Sequence, residues 1–311
     1  LEETRLTQVT GKPYGSTRRG IAPVYGDKYM KKTIRMSDLF FEDDLREKVK
    51  DIVTWKNLLI HNGYGADEVN PEDIMDWLHT YGEKLKPYVT DVGKILYEAN
   101  KSGKSIIFEA QLGALRDIDF GIYPYTSSSS TISAYAPIGA GIPGMKLDKS
   151  IGIMKAYSTC VGAGPFTVRM SGDEAEELRK AGNEYGAATG RPREVGAFDV
   201  VASKYGVMLQ GTDEVALTKL DVLSYLDKIP VCVAYDIDGE ITTDFPCGKR
   251  LDIAKPVIKY LDGWKCDISA CRKLEDLPEK AREYIDFISK SVGCYIKYIS
   301  VGASREAYIE A

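Results

Sequence analysis

A short apolar stretch followed by a lysine and an aspartate is the segment of this sequence best suited to chemistry. Val215–Leu217 has the character of a buried strand, and residues 218–221 (TKLD) follow at its carboxyl end, where open α/β sheets bind ligands. An aspartate there can accept hydrogen bonds from both the ring N–H and the exocyclic amine of guanine, a pair of donors that adenine lacks. The four residues therefore indicate a guanine site, although alone they also fit an ordinary surface Lys–Asp pair.

Two further loops could extend such a site. Residues 298–305 (YISVGASR) leave another predicted strand with small residues, whose backbone groups can face a base edge, as those of any tight turn can. In 189–193 (TGRPR), Arg191 and Arg193 flank a proline, and arginine suits bidentate binding of carboxylates and phosphates. The alternative for this pair is two solvated arginines on a loop.

Other loops are weaker candidates. Residues 15–20 (GSTRRG) and 126–131 (TSSSST) offer hydroxyl and N–H groups to phosphate oxygens, and 161–166 (VGAGPF) allows a close backbone approach. Residues 103–105 (GKS) end like a phosphate-binding P-loop, but Glu98 stands where the first glycine belongs, and the triplet precedes a strand. We interpret the triplet as an ordinary turn.

Charge and composition limit the classes of function. The 311 residues include 46 acidic and 41 basic side chains, and the net charge of −5 disfavours a nucleic-acid binder with a broad basic face. Two histidines and six cysteines without a CxxC pair form no zinc framework, and we expect reduced thiols in a cytoplasmic protein. No apolar run has the length of a transmembrane helix.

The elements that must position these residues alternate between strands and helices. Residues 1–36 predict loop and short strand, whereas 38–100 repeat apolar residues at helical spacing, with a helix start at Asn70-Pro71. The predicted strands are 105–109, 151–157, 215–217, 231–235 and 295–299, and the predicted helices are 173–181, 198–209 and 278–292, the last capped by Gly293. This order predicts an α/β fold with a mostly parallel central sheet, flanking helices and a helical insertion at about 38–100, within a single domain 1–311.

Eight collinear segments resemble the adenylosuccinate synthetase family. They are GSTRRGIAPVYGDK (15–28), FEAQLGALRDIDFGIYPY (108–125), GIMKAYSTCVGAGPF (152–166), GNEYGAATGRPREVGAFD (182–199), ALTKLDVL (216–223), VCVAY (231–235), DGWKCDIS (262–269) and YISVGASR (298–305). The resemblance implies a synthetase fold like that of P-loop NTPases and a GTP- and Mg²⁺-dependent ligase of purine biosynthesis. Such a ligase joins IMP to L-aspartate after phosphorylating the IMP 6-oxygen, and it acts as a cytoplasmic homodimer without membrane or nucleic-acid partners.

By position, the resemblance also implies roles for individual residues. The GTP-binding positions are Lys219, Asp221, Ser300, Gly302 and Arg193. The IMP-binding positions are Thr17, Lys31, Gln111, Leu112, Ser127, Val161 and Arg191, of which Lys31 reaches the IMP of the partner subunit. The aspartate-binding positions are Thr189, Arg191 and Arg193. No catalytic residue or metal ligand is implied in this chain beyond transition-state support from Arg191 and Arg193.

Departures from the family pattern cluster on the IMP and aspartate side. The family's residue is replaced by Lys31 (for arginine), Leu112 (for glutamine, with Gln111 one place earlier), Ser127 (for threonine), Ala188 (for threonine) and Cys160 (for arginine). The guanine side is intact. A related enzyme that uses another purine monophosphate is therefore an alternative.

The family's Gly-rich phosphate loop has no counterpart in these residues. Its catalytic aspartate, its Mg²⁺ ligands and the nearby histidine acid are unmatched too, because His61 and His79 lie in the helical insertion. We therefore expect that the chain lacks the family's N-terminal catalytic segment, which would bind Mg²⁺ together with GTP. A non-catalytic guanine-nucleotide-binding module is the alternative from another class.

Overall fold

A computed structural model describes residues 1–11, 15–16, 18–186 and 190–311. The α-helices in this part of the chain are α1 Glu2–Thr10, α2 Ile21–Tyr29, α3 Glu42–Asn62, α4 Pro71–Leu85, α5 Val92–Lys101, α6 Tyr135–Gly139, α7 Gly172–Ala181, α8 Val200–Gln210, α9 Lys249–Asp252 and α10 Glu279–Val292. The strands are β1 Ile151–Lys155, β2 Ser158–Cys160, β3 Glu194–Gly196, β4 Phe198–Asp199, β5 Glu214–Thr218, β6 Lys228–Ile237, β7 Glu240–Thr242, β8 Lys255–Asp262, β9 Tyr295–Ser300 and β10 Tyr308–Glu310.

The chain divides into two compact units. The first contains residues 1–107 with the short segments 127–129 and 139–143, and the second contains 108–126, 130–138 and 144–311. None of the described helices is both long and apolar enough to cross a membrane.

The first unit is helical, which confirms the prediction for 38–100. Helix α3 buries Leu45, Val49 and Val53 at helical spacing in one apolar cluster with Met75 of α4. The Asn70 side chain caps α4 by accepting a hydrogen bond from the Glu72 N–H, as the helix-start signal predicted.

The prediction of loop and strand for residues 1–36 is wrong, because α1 and α2 lie there. Neither helix buries a residue. A helix without a buried face needs no apolar stripe, so the sequence carried no periodicity from which to predict it.

The second unit is built on a four-stranded central sheet in the order β1-β5-β9-β10. Strands β1, β5 and β9 are mutually parallel, and β10 pairs antiparallel with β9. Helix α10 buries Tyr284, Ile285 and Ile288 in the core that also contains Val215 and Leu217 of β5. The α/β prediction with a mostly parallel central sheet is confirmed.

A second sheet differs from the expected pattern. Strand β6 pairs parallel with β4 but antiparallel with β7 and β8, and β2 pairs antiparallel with β3 as a separate ribbon. The predicted strand at 105–109 is wrong: among the described residues it has no ladder partner, and Ile107 is 91% exposed. The predicted helix at 198–209 begins instead at Val200, after β4, with Asp199 as its cap.

Candidate functional site

The carboxyl ends of the three parallel strands meet at one edge of the central sheet. Lys155, the last residue of β1, lies opposite Thr218, the last residue of β5. Strand β9 pairs with β5 on its other side and ends at Ser300. Parallel pairing therefore places the segments that follow β5 and β9 next to each other, as expected for a ligand-binding edge.

The two loops predicted to bind guanine are joined directly. The Leu220 N–H donates to the Ser300 carbonyl (3.2 Å), and the Ser300 hydroxyl donates to the Gly302 carbonyl (3.0 Å). Asp221 begins a short 3-10 turn and is half-buried. Burial raises the pKa of its carboxyl, and the positive charge of Lys219 partly opposes that rise. The structure thus brings Lys219, Asp221, Ser300 and Gly302 to one edge, as predicted.

A buried carboxylate that the sequence did not single out lies behind these loops. Glu184 has a fully buried side chain and accepts hydrogen bonds from the Tyr157 hydroxyl (2.6 Å), the Lys155 ammonium (2.9 Å to each oxygen) and the Arg193 guanidinium (2.8 Å). The Lys219 ammonium lies 3.1 Å from the same carboxylate. Although burial opposes ionisation, these donors prevail and lower the pKa of Glu184 to about 2.

This cluster, which we call the Glu184 cluster (Lys155, Tyr157, Glu184, Arg193 and Lys219), carries an excess of positive charge. Three cations surround one carboxylate. Burial lowers the pKa of Lys155, and the two other cations add to that effect while Glu184 opposes it. The cluster can therefore attract a further anion.

Two backbone hydrogen bonds join residues 184–186 to residues 191–193. The Arg193 N–H donates to the Glu184 carbonyl (2.9 Å), and the Gly186 N–H donates to the Arg191 carbonyl (2.8 Å). The Arg193 side chain points toward Glu184, whereas Arg191 is exposed. Thr189, the remaining predicted aspartate contact, lies outside the described residues.

Several predicted IMP contacts lie elsewhere in the second unit. Arg116 donates to the Val161 carbonyl (2.9 Å) and to the Cys160 sulfur (3.0 Å) and so fixes this turn, while the Val161 side chain is exposed. Gln111 and Leu112 are both exposed, and Leu112 has a φ of 74°, which is unusual for a branched residue.

The remaining predicted IMP contacts belong to the first unit. Lys31 is exposed, with a φ of 61° and an N–H that donates to the Lys28 carbonyl (3.2 Å). The Ser127 hydroxyl shares a hydrogen bond with the Ser129 hydroxyl (2.9 Å). Thr17 lies outside the described residues.

Over the described part of the chain, His, Cys, Asp and Glu side chains form no group of three or more that could hold a metal ion. We therefore assign Mg²⁺ to none of these residues.

Comparisons with known proteins agree with this architecture. The family model described as adenylosuccinate synthetase matches residues 1–309. The adenylosuccinate synthetase of Heliobacterium modesticaldum is 40% identical over 311 residues, covering 100% of this chain and 73% of that protein. That of Synechococcus sp. (strain WH7803) is 42% identical over 310 residues, covering 99% and 71%. The structure of fully ligated adenylosuccinate synthetase from Plasmodium falciparum matches with a TM-score of 0.90 at 34% identity, covering 100% of this chain and 73% of that one. The chain belongs to the adenylosuccinate synthetase family.

Proposed function

We propose that this protein joins IMP and L-aspartate to form adenylosuccinate, with GTP as the phosphoryl donor. One observation carries the proposal: Lys219 and Asp221 lie beside Ser300 and Gly302 at the carboxyl edge of the parallel strands. Together they present a carboxylate, a lysine stem and backbone groups, which are the elements that recognise a guanine base.

The proposed roles follow from the chemistry of each group. Asp221 accepts hydrogen bonds from the guanine ring N–H and the exocyclic amine, and the Lys219 stem lies along the base. Arg193 and Arg191 bind the carboxylates of aspartate, and their positive charge favours the negative charge that develops during phosphoryl transfer. GTP phosphorylates the IMP 6-oxygen, and the aspartate amine then displaces that phosphate.

Other parts of the proposal rest on the family resemblance alone. They include IMP contacts by Thr17, Gln111, Leu112, Ser127 and Val161, an aspartate contact by Thr189 and a homodimer in which Lys31 contacts the partner's IMP. They also include one synthetase domain formed by both units. Family members use Mg²⁺, and its chemistry would be to neutralise charge on the GTP phosphates.

The test begins with the intact mass and N-terminal sequence of the native protein, followed by an assay with GTP, IMP and aspartate. We expect adenylosuccinate to form only when all three are present, and ATP not to replace GTP. A parallel titration with a fluorescent GDP analogue separates the alternatives. Guanine-nucleotide binding without turnover would support a binding module, and absence of both would refute the proposal.

A second candidate is a related ligase that acts on another purine monophosphate. The observation that favours it is Leu112, an exposed residue with a positive φ. It stands at the position where the family has a glutamine that contacts IMP. The same assay with GMP, dGMP and dIMP in place of IMP distinguishes the two, because each of these nucleotides carries the 6-oxygen that the reaction phosphorylates. Turnover several-fold faster with one of these than with IMP would favour the second candidate.

A further inference from the structure

Glu184 lies between two loops to which the proposed function gives different substrates. On one side it meets Lys219, in the loop proposed to bind guanine. On the other side it meets Arg193, in the loop proposed to bind aspartate and the GTP phosphates. No side-chain surface of Glu184 is exposed, so a substrate cannot reach this carboxylate while the cluster is intact.

The charges of the cluster explain why a carboxylate is required at this point. Lys155, Arg193 and Lys219 all lie within hydrogen-bonding or ion-pair distance of one side chain. Like charges this close repel one another, although the partial exposure of each cationic side chain (25–34%) screens that repulsion. The carboxylate offsets that repulsion, and it holds the two substrate-binding cations in fixed positions.

The geometry of Arg193 provides a second, independent observation. Its Nη1 donates to Glu184, whereas its Nε is buried and has no hydrogen-bond partner among the described residues. A buried donor without an acceptor is costly. The guanidinium is therefore fixed through Nη1, and its buried Nε leaves one donor unsatisfied in this arrangement.

We propose that Glu184 is a positioning residue that couples the guanine-binding loop to the anion-binding loop through Lys219 and Arg193. The inference rests on the proposed function and deepens it. Glu184 contacts neither substrate, yet its charge sets the position of one cation for each. Removing that charge therefore weakens the binding of GTP and of aspartate together.

The test measures steady-state constants for Glu184→Gln and Glu184→Asp in the native full chain. The amide in E184Q retains the size of the side chain and loses the charge. We expect the KM values for GTP and for aspartate each to rise at least tenfold, while the KM for IMP stays within threefold. In E184D the charge remains, but the shorter side chain moves it away from both cations. We therefore expect the KM values for GTP and for aspartate each to rise about threefold or more. This variant keeps a carboxylate among the cations and so carries less risk of misfolding.

A matched control is another buried carboxylate of the same unit. Asp199 accepts hydrogen bonds from the Tyr235 hydroxyl (2.6 Å) and from the Ala202 N–H (3.0 Å), and neither donor belongs to the Glu184 cluster. We expect Asp199→Asn to lower the melting temperature and to leave all three KM values within twofold. A purely structural role for Glu184 would give that same result in E184Q and E184D and would overturn the inference.

Direct binding of a fluorescent GDP analogue separates this inference from the proposed function. If the wild-type protein binds no guanine nucleotide, the proposed function itself fails. If the wild-type protein binds and E184D binds with an unchanged Kd, only the role of Glu184 fails. A raised Kd in E184D but not in D199N supports the coupling.

Discussion

We expect a single substitution at Asp221 to change the base that the proposed nucleotide site accepts. If Asp221 accepts both the ring N–H and the exocyclic amine of guanine, then Asp221→Asn leaves one acceptor and turns a donor toward the amine. Xanthine has a carbonyl where guanine has that amine, so the asparagine amide pairs with xanthine instead. We expect D221N to lose GTP and to gain XTP as the phosphoryl donor.

The size of the change follows from the setting of the carboxylate. Hydrogen bonds to a charged acceptor are worth about 1.5–3 kcal/mol each, and an unpaired buried group costs about 1–3 kcal/mol. Because Asp221 is only half-buried, we take the lower end of each range, which gives about 2.5 kcal/mol for one lost hydrogen bond and one unpaired group. At about 1.4 kcal/mol per factor of ten, GTP affinity should fall about 60-fold.

The assay is competition of GTP and XTP against a fluorescent GDP analogue, together with KM for each nucleotide. Asp267→Asn is the control, because Asp267 is an exposed neighbour whose negative charge contributes to the raised pKa of Asp221. Its GTP affinity should stay within twofold of the wild-type value. Protonation mimics the variant, so wild-type GTP affinity should fall as the pH drops through the raised pKa of Asp221. D221N with unchanged GTP affinity and no use of XTP would refute the assignment.

Three further predictions use the same region. The pKa of Glu184 lies at about 2 in the folded protein, below its ordinary value of 4.5. The ionised carboxylate therefore stabilises the fold fully above about pH 4.5, and this stabilisation is lost as the pH falls toward about 2. Melting temperatures across this pH range should decline less in E184Q than in the wild type. Lys219→Met should raise the KM for GTP about tenfold, from the loss of about 1.4 kcal/mol of binding. It should raise the KM for aspartate by less, because Arg193 keeps its hydrogen bond to Glu184, and an equal rise in both would contradict separate roles for the two loops. A Cβ at Gly182 would collide with the Tyr157 hydroxyl, so Gly182→Ala should lower the free energy of unfolding in urea by about 1–3 kcal/mol; Gly206→Ala, where the nearest neighbouring atom is 3.7 Å from the added Cβ, is the control and should not lower it.

The elements predicted correctly are those whose own residues show which face is buried. Strand β5 alternates buried and half-buried residues, and α10 buries residues at helical spacing before Gly293 ends it with a φ of 72°. Strand β8 shows why others were missed: it includes Lys255 and Lys259, and most of its residues are exposed. It exists because β6 supplies hydrogen-bond partners along almost its whole length, and pairing with a distant strand leaves no local pattern.

The residues of the candidate site also fall into those that the sequence could place and one that it could not. The position of Lys219, Asp221 and Ser300 at one edge of the sheet was predictable, because each lies at or just after the end of a recognisable strand, and the end of a parallel strand is where ligands bind. Glu184 was not predictable, because nothing in its own segment distinguishes it from a loop glutamate. Its importance comes from Tyr157, Lys155 and Lys219, which lie 27, 29 and 35 residues away in the chain, and only the fold brings these side chains together.

The order of the strands explains why one buried carboxylate suffices. Lys155 and Thr218 end adjacent parallel strands in register, and Lys219 follows Thr218 with a φ of 61°. The ammonium groups of both lysines lie against the Glu184 carboxylate. An edge built to bind phosphates and carboxylates collects cations in this way, and the uncompensated repulsion would push them apart before any ligand arrives. A carboxylate behind the edge holds them in place while the net charge of the cluster stays positive. The same arrangement predicts that substitutions of Lys219 and Arg193 are not additive in their effects on GTP binding, because each substitution removes one of the positive charges paired with the Glu184 carboxylate.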